Sequence, residues 1–499
     1  MAEQETYQPS RNGNSYSMNK RRRFQQLAAN RLGVIDMNGN MTYKVRNDDL
    51  EWLDRYYEGT QYDHLVDWDE GNESPEYVSI RKRKPRIIFP FAKILSSRVA
   101  SKLVGHTTFP SLTIVDDPDS TEFIKVLLEV SNFKSRILEP IRRTLNTGSC
   151  FLRFFISGTS LKMEWYLSKY CYPKFDINGD LSEIEIKYIY TDENDKNPDG
   201  SCKKKWFKLY LSTSVEIEYN NPEYKPGVVP EFEEVDRVEH NLGFVQGEWL
   251  RTSEEKFEDD GESLIEDSID FIDSLNYSLS QTDQAVAYNQ DPQVLINKMD
   301  EEEIDELIRS SSKAWNLGRE GEAKFLEAGL KGVETAGVVR DKMKLSVSDA
   351  TRVVFLDPEK IVGNAQSAKA MEVLHGPFVD LINELRPIFQ KSIVSLVTKM
   401  AVAVLTVKQR GFDSPVIIPD GFQPKSLAIS ATWPAIFPLT TEDLTSLVGL
   451  ATKVTTANIF SREWAARWLA KNKEFGIEDI ELELQKVASQ PVINPFGGF

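Results

Sequence analysis

The sequence predicts an α+β, helix-dominated fold, because two kinds of apolar pattern occupy separate parts of the 499-residue chain. Residues 149–250 contain short runs in which apolar and polar residues alternate, separated by turn sequences at Ile177–Asp180 and Asn197–Gly200. Such runs are typical of antiparallel hairpins. Most of the remaining chain has the apolar spacing of amphipathic helices. The length exceeds that of a usual single core, so two or more domains, or one elaborated subunit, are expected.

The first 148 residues predict a tail followed mainly by helices. Residues 1–44 are rich in polar residues and glycine, which predicts a flexible N-terminal tail. Residues 48–106 have helical character, with Asp48 in the position of an N-cap. A short strand over Ser111–Val115 and two helices over Ser120–Gly148 complete this part.

Residues 257–407 contain an unusual order of elements. They are an acidic amphipathic helix (Gly261–Ala287), a short mixed insert, a second helical segment (Val338–Arg352), a loop that cannot be helical (Val353–Ser367) and a long apolar-rich helix broken at Gly376–Pro377 and at Pro387. This order is a poor layout for catalysis. It suits the wall and the constriction of a channel.

The C-terminal part predicts a β-like stretch and two helices. Thr440 with Asp443, and Ser461 with Trp464, occupy positions from which N-caps begin these helices. The longest apolar run of the chain, Ile393–Val407, is shorter than the roughly 18–20 residues of a membrane span and contains Lys399. A buried or subunit-contact helix is therefore expected there, and no membrane partner.

No group of residues predicts catalysis or a cofactor. The sequence has neither GxxxxGK[ST] nor a strand–GxGxxG–helix pattern, and its four histidines and three cysteines are scattered. Asp116–Asp117 with Asp119 could hold Mg²⁺ as in a nuclease, although such an acidic turn is more often a solvated turn. We therefore expect no enzyme, and an Mg²⁺-dependent nuclease stays an alternative.

Acidic residues are concentrated around the first helix of the channel-like region. From Ser253 to Glu306 there are eighteen Asp or Glu and two basic residues, Lys256 and Lys298. A solvated helix face explains such a run equally well. If part of it lines a pore, its repulsion of DNA phosphate reaches only about 8 Å at physiological salt, which centres DNA without blocking it. The net charge of −17 argues against a surface that embraces nucleic acid, but not against such a channel.

Four collinear stretches resemble the tailed-bacteriophage portal proteins, the head-to-tail connector family, over roughly residues 45–490. They are His240-Asn-Leu-Gly243, Gly261-Glu-Ser263 with the helix that it opens, Val353–Ser367 with the small residues that follow, and ATWPAIFPLTTEDL with the succeeding NIFSREWAARWL. The family often has Ser-Gly where this chain has Ser367-Ala368, and Trp464 replaces its usual Thr.

The resemblance implies a portal-type subunit with a β-rich wing, a two-helix stem, a small α/β clip, a kinked long helix and a helical crown. The implied parts are the wing (45–256), the first stem helix (257–287), the clip (288–335), the second stem helix (336–352), the tunnel loop (353–367), the kinked wing helix (368–395) and the crown (396–499). About a dozen helices, each about 10 Å wide, would surround a bore of roughly 28 Å, enough for duplex DNA.

The resemblance also implies roles for individual residues. The implied tunnel-loop residues are Leu356, Asp357, Glu359, Lys360 and Asn364. The implied acidic channel lining is Glu262, Glu266, Asp270 and Asp273. The implied partner contacts of the clip are Trp315, Arg319 and Lys324.

The function that the resemblance implies is a ring of about twelve subunits at one capsid vertex, through which double-stranded DNA is packaged, retained and ejected. Its implied partners are the terminase large subunit, the head–tail adaptor, and the major capsid and scaffolding proteins. Assembly in the host bacterial cytoplasm and residence in the virion follow from the same resemblance. A minor capsid or head–tail adaptor protein is the main alternative, although adaptors are usually far shorter.

Overall fold

The computed structural model describes residues 44–73, 78–115, 117–197, 199–253, 259–290, 293–297, 322–326, 330–354, 368–416, 418, 428–437, 441–457, 459–470 and 484–485. The helices are α1 (Lys44–Glu58), α2 (Trp68–Glu73), α3 (Phe91–Val104), α4 (Pro118–Val130), α5 (Phe133–Arg136), α6 (Leu138–Thr147), α7 (Ile269–Gln290), α8 (Leu330–Thr351), α9 (Ala368–Leu374), α10 (Gly376–Gln409), α11 (Thr441–Thr456) and α12 (Arg462–Ala470).

The strands are β1 (Val66–Asp67), β2 (Arg83–Lys84), β3 (Ser111–Ile114), β4 (Ser149–Ser157), β5 (Ser160–Leu167), β6 (Cys171–Phe175), β7 (Leu181–Lys196), β8 (Cys202–Ser212), β9 (Val215–Tyr219), β10 (Glu234–Glu239), β11 (Gly247–Arg251), β12 (Gln293–Asn297), β13 (Glu322–Leu326) and β14 (Ile429–Thr432). The predicted tail, residues 1–44, lies outside the described residues except for Lys44. The fold is α+β, with helices and sheets in largely separate parts of the chain.

Two antiparallel sheets confirm the hairpins predicted over residues 149–250. One sheet has the order β11-β4-β5 and the other β10-β9-β8-β7-β6. The turn glycines Gly179 and Gly200 have φ of +89° and +87°, a left-handed conformation that favours glycine. The last two strands of this region, β10 and β11, belong to different sheets. β10 is exposed along its length and pairs with β9, whereas β11 buries Leu250 and pairs with β4.

The region between residues 48 and 106 is less continuous than predicted. Helix α1 begins at Lys44, so Asp48 lies in its second turn and does not cap it. Short strands and a 3-10 turn, Ile80–Lys82, separate α1, α2 and α3.

A large apolar core joins the helical part to the three-stranded sheet. Helix α3 buries Leu95 and Val99, and α10 buries Phe389 and Ile393, each with no exposed surface. The same core takes Ile272 from the start of α7. Full burial of each such side chain stabilises the fold by about 1.5–3 kcal/mol. The base of α7 is therefore held to this core by apolar packing.

The long helix α10 departs from prediction at one proline. The predicted break at Gly376–Pro377 is confirmed, because α9 ends at Leu374 and Pro377 lies in the first turn of α10, where a missing N–H is tolerated. The predicted break at Pro387 is wrong, and α10 continues through it across the predicted boundary at residue 396. Pro387 and Asn383 are not buried, so water can satisfy the Asn383 carbonyl that loses its helical donor.

Helix α10 is long and apolar enough to cross a membrane by length and composition alone. Its apolar side nevertheless packs into the core, where Leu396 and Val397 have no exposed surface. Lys399 Nζ donates to the Gly247 carbonyl at 3.0 Å and to the Glu248 carboxylate at 2.6 Å. These are the contacts of the buried helix predicted for Ile393–Val407.

The acidic turn that could have held Mg²⁺ is a helix cap. The Asp117 carboxylate accepts hydrogen bonds from Ser120 N at 3.1 Å and from Ser120 Oγ at 2.6 Å, and so begins α4. Among the described residues, no group of three or more His, Cys, Asp or Glu side chains could hold a metal ion. Asp116 lies outside those residues.

At the C-terminal end, one of the two predicted N-caps can be compared with the structure. Trp464 N donates to Ser461 Oγ at 3.0 Å at the start of α12, which confirms the Ser461 cap. Thr440 lies outside the described residues. Phe460, Trp464 and Trp468 form a stacked row at this helix start. The ring centroids of Phe460 and Trp464 are 4.1 Å apart, and those of Trp464 and Trp468 are 6.0 Å apart.

Candidate channel wall

Helices α7 and α8 pack against each other, and the antiparallel strand pair of β12 and β13 lies between them in the chain. The 3-10 turn before α7, Glu266–Ser268, also contacts α8. The chain therefore runs outward along α7 and returns along α8. The predicted order of helix, insert and helix is confirmed, and α8 begins at Leu330, six residues before the predicted start at residue 336.

The first helix of this pair starts later than the predicted Gly261. The backbone before it is bound to the end of α6 instead: Gly261 N donates to the Gly148 carbonyl at 3.2 Å and Leu264 N to the Leu145 carbonyl at 2.9 Å. Ser263 Oγ donates to the Asn146 carbonyl at 2.5 Å. These contacts hold residues 261–264 against the end of α6. Helical turns therefore begin only at Glu266.

Polar side chains clamp one face of α7 to the segment that precedes α3. Phe89 N donates to Asn276 Oδ1, and Ile87 N donates to Ser280 Oγ, both at 3.0 Å. Asn276 and Ser280 are completely buried. Since each bond satisfies a polar side chain of α7 that is completely buried, the clamp fixes both the rotation and the height of α7.

Asp273, which the resemblance places on the acidic lining, belongs to this clamp. The hydroxyl groups of Tyr56 and Tyr62 both donate to its carboxylate, the former at 3.0 Å to each oxygen. Asn276 Nδ2 also donates to the Tyr62 hydroxyl, at 3.2 Å. The carboxylate of Asp273 therefore faces α1 and the turn after it, inside the subunit.

The environment of Asp273 makes stability depend on pH. Burial raises the pKa of Asp273 to about 6, although the hydroxyls of Tyr62 and Tyr56 lower it. A carboxyl whose pKa is higher in the folded state than in the unfolded state binds more protons when folded, so its contribution to stability falls as pH rises towards the folded pKa.

We predict that the Asp273→Asn variant loses this dependence. The free energy of unfolding of the wild-type protein should rise between pH 7 and pH 5 by about 1 kcal/mol relative to the variant. Urea unfolding of both proteins at the two pH values measures the difference. Asp349→Asn, at an exposed position of α8, is the control and should follow the wild type. Equal changes for all three proteins would contradict the assignment.

The other predicted lining residues remain accessible. Glu262 and Asp270 are exposed and Glu266 is half-buried, and Asp267, which was not among the predicted lining residues, is exposed beside them. Lys324 lies on β13 opposite Leu295. Trp315, Arg319 and the predicted tunnel-loop residues Leu356, Asp357, Glu359, Lys360 and Asn364 lie outside the described residues.

An ion pair that the sequence analysis missed ties the end of α8 to α10. Arg352 has φ of +58° and donates through both terminal nitrogens to the two oxygens of Glu384, each at 2.8 Å. The hydrogen bond from Arg352 lowers the pKa of Glu384. This pair fixes the residue from which the chain leaves α8 towards residues 355–367. No periodicity or spacing links residues 32 positions apart, so only the folded structure could have shown it.

Three solved structures are similar to this chain. Two solved structures of a gene transfer agent (GTA) particle, its native virion and its native neck computed with C12 symmetry, are each 11% identical, cover 76% of this chain and 89% of theirs, and give TM-scores of 0.38 and 0.36. The neck of the empty GTA particle computed with C6 symmetry is 11% identical, covers 85% of this chain and 93% of its own, and gives a TM-score of 0.40. We draw no conclusion from likenesses at TM-scores this low.

No curated protein matches the sequence. The family model for "Phage portal protein, SPP1 Gp6-like" matches residues 42–490, which is most of the chain and includes α7, α8, the strands between them and α10. This match agrees with the order of elements that the structure shows around the candidate channel wall. The chain belongs to the phage portal protein family, whose members are structural proteins and not enzymes.

Proposed function

We propose that this chain forms a ring of about twelve copies at one capsid vertex, through which double-stranded DNA is packaged, retained and ejected. The observation that carries the proposal is the packed pair α7 and α8. Helix α7 enters the core at Ile272, is clamped near its middle at Asn276 and Ser280, and is joined to α8 through the paired strands β12 and β13. Each helix has 22 residues and so spans about 33 Å. Cyclic repetition of such a pair would form the wall of a channel with a bore of roughly 28 Å.

The native mass of the purified protein, with negative-stain images of the same fraction, tests the ring. A self-assembling ring of about twelve 56.9 kDa chains has a mass near 680 kDa and a central hole. A protein that stays monomeric at every concentration would contradict self-assembly into a ring.

The acidic residues at the start of α7 are the proposed lining. Glu262, Glu266 and Asp270 would repel DNA phosphate over about 8 Å, so that DNA slides without binding. Asp273 is left out, because its carboxylate faces the interior of the subunit.

Reversal of these three charges should make the ring retain DNA. We predict that the variant E262K/E266K/D270K binds duplex DNA at low salt at least about 1000-fold more tightly than the wild-type ring, and that most of this gain is lost at high salt. Filter binding or anisotropy across a salt series measures it. The control E231K/E233K/D236K carries the same charge change on an exposed part of the five-stranded sheet region. If both variants bind DNA equally, the proposed lining is wrong.

We further propose that residues 353–367, with Leu356, Asp357, Glu359, Lys360 and Asn364, narrow the channel near the DNA. Support comes from Val353 and Val354, directly after α8, and from Met371 of α9: they line one cavity, so the two ends of the segment lie close together. Packaging and DNA retention that were unchanged both by deletion of the loop and by Lys360→Glu would contradict this role.

The clip is the proposed docking site for the terminase large subunit and later for the head–tail adaptor, through Trp315, Arg319 and Lys324. Its support is the antiparallel pair of β12 and β13, which lies between α7 and α8 in the chain. The terminase would supply the ATP chemistry for which this sequence has no P-loop. Capsid and scaffolding proteins would contact the outer part of the ring. Pull-down of terminase by wild-type and R319E/K324E rings tests the docking site.

A further inference from the structure

The first turns of α10 separate two surfaces of opposite charge. On one side, a cavity of about 640 Å³ lies between α3 and α10, with an apolar lining that includes Phe378 and Phe437. Three basic side chains also line the cavity, and we call them the basic flank: Lys93, Arg98 and Lys102. Lys93 and Arg98 are exposed.

A buried histidine indicates that this cavity lacks a partner. His375 lines the cavity and is 5% exposed, and within the described part of the chain neither of its ring nitrogens has a hydrogen-bond partner. Burial and the nearby Lys102 lower the pKa of His375, so the ring is neutral at pH 7 and carries one N–H donor. An unsatisfied buried donor costs about 1–3 kcal/mol, which an acceptor brought in by another molecule would recover.

The opposite side of α10 is acidic. Asp380 lies two residues after Phe378, which turns its side chain about 200° around the helix axis. Asp380 and Glu384 line a depression there, and Asp267 lies near Glu384 in the adjoining one. We call these three exposed residues the acidic flank: Asp267, Asp380 and Glu384. Arg352, paired with Glu384, leaves this flank with a net negative charge.

A ring requires two different surfaces on each chain that complement one another. Copies that each carry a net charge of −17 repel one another, and a contact that places base against acid offsets this repulsion. We propose that the basic flank of one copy receives the acidic flank of the next, so that a carboxylate of the neighbour enters the cavity beside His375. This inference rests on the proposed ring and identifies which surfaces close it.

Charge-reversed variants test the pairing. We expect K93E/R98E and D267K/D380K each to lower the fraction of chain in rings by a factor of about ten or more, because like charges would then face each other. An equimolar mixture of the two should recover rings, since alternating copies again bring opposite charges together at every contact. A chain with all four substitutions should recover rings alone. Analytical ultracentrifugation reads out the assembled fraction.

The control K162E/K225E changes the charge by the same amount at exposed positions away from the cavity and should assemble like the wild type. Recovery in the mixture also shows that each flank variant is folded. If wild-type rings form and either flank variant still assembles fully, or if the mixture does not recover, the pairing is overturned while the ring stands. If the wild-type chain forms no ring, both proposals fail.

Discussion

Replacement of Gly148 by alanine is expected to destabilise the protein by about 3 kcal/mol or more. Gly148 ends α6 with φ of +89°, where an L side chain is strained by about 1–2 kcal/mol. Its carbonyl accepts hydrogen bonds from Thr252 N at 3.1 Å and Gly261 N at 3.2 Å. A methyl group at Gly148 would lie 2.0 Å from the Gly261 carbonyl oxygen, which is backbone and cannot rotate away.

Gly200→Ala separates this close approach from the strain of a positive φ. Gly200 has φ of +87°, almost the same as Gly148, but its turn is open, and no atom outside the turn lies within 4 Å of the place that a methyl group would take. Its substitution should cost only the conformational strain, about 1–2 kcal/mol. Urea unfolding of the two variants gives the comparison. Equal losses of unfolding free energy in the two variants would show that the close approach of Gly148 to the Gly261 carbonyl adds no cost to that of the positive φ.

Local sequence patterns were sufficient to predict the elements whose structure depends mainly on their own residues. The strands of residues 149–250 follow from alternation and from turn glycines, because a half-buried antiparallel sheet imposes a period of two. The cap at Ser461 follows from a hydroxyl placed three residues before the backbone donor whose hydrogen bond it accepts. The order of α7, the insert and α8 follows from the apolar spacing of the two helices.

Elements shaped by distant contacts were not predictable in this way. The acidic, helix-like sequence after Gly261 stays extended because its backbone donors bind the end of α6, more than 100 residues earlier. Pro387 does not break α10, since the helix is held on its other side by Phe389 in the core. In both cases tertiary packing overrides a local preference.

The candidate channel wall shows the same limit at the level of single side chains. Composition located the acidic residues, but it could not show which of them turn inward. Asp273 is bound by tyrosines 211 and 217 residues before it, whereas Asp270, three residues away, is exposed. Side chains three residues apart on a helix point in directions that differ by only about 60°, so a small rotation of α7 would exchange their environments. The clamp at Asn276 and Ser280 sets that rotation and so decides which acids face solvent.

Removal of the Asp54 carboxylate should cost about 3–5 kcal/mol, because Asp54 is the centre of a buried ion-pair network. Asp54 is 5% exposed, and its two oxygens bind Arg143 Nη1 at 3.0 Å and Lys169 Nζ at 2.8 Å. Burial works against the charge of Lys169, yet Asp54 beside it raises the pKa of Lys169 overall. In Asp54→Ala, the ammonium of Lys169 would stay buried without this partner, and α1 would lose its link to the residues after β5.

Glu51→Ala is the matched control, because Glu51 lies on the same helix and pairs with Arg55 at 2.7 Å with both side chains about half exposed. Water replaces such a partner, so the variant should lose less than about 1 kcal/mol. Urea unfolding at pH 7 compares the two. If Asp54→Ala lost no more stability than Glu51→Ala, the network would be worth no more than a surface pair. Helix α1 would then be held by apolar side chains such as Leu53 and by its other hydrogen bonds, such as that from Arg46 to the Cys171 carbonyl.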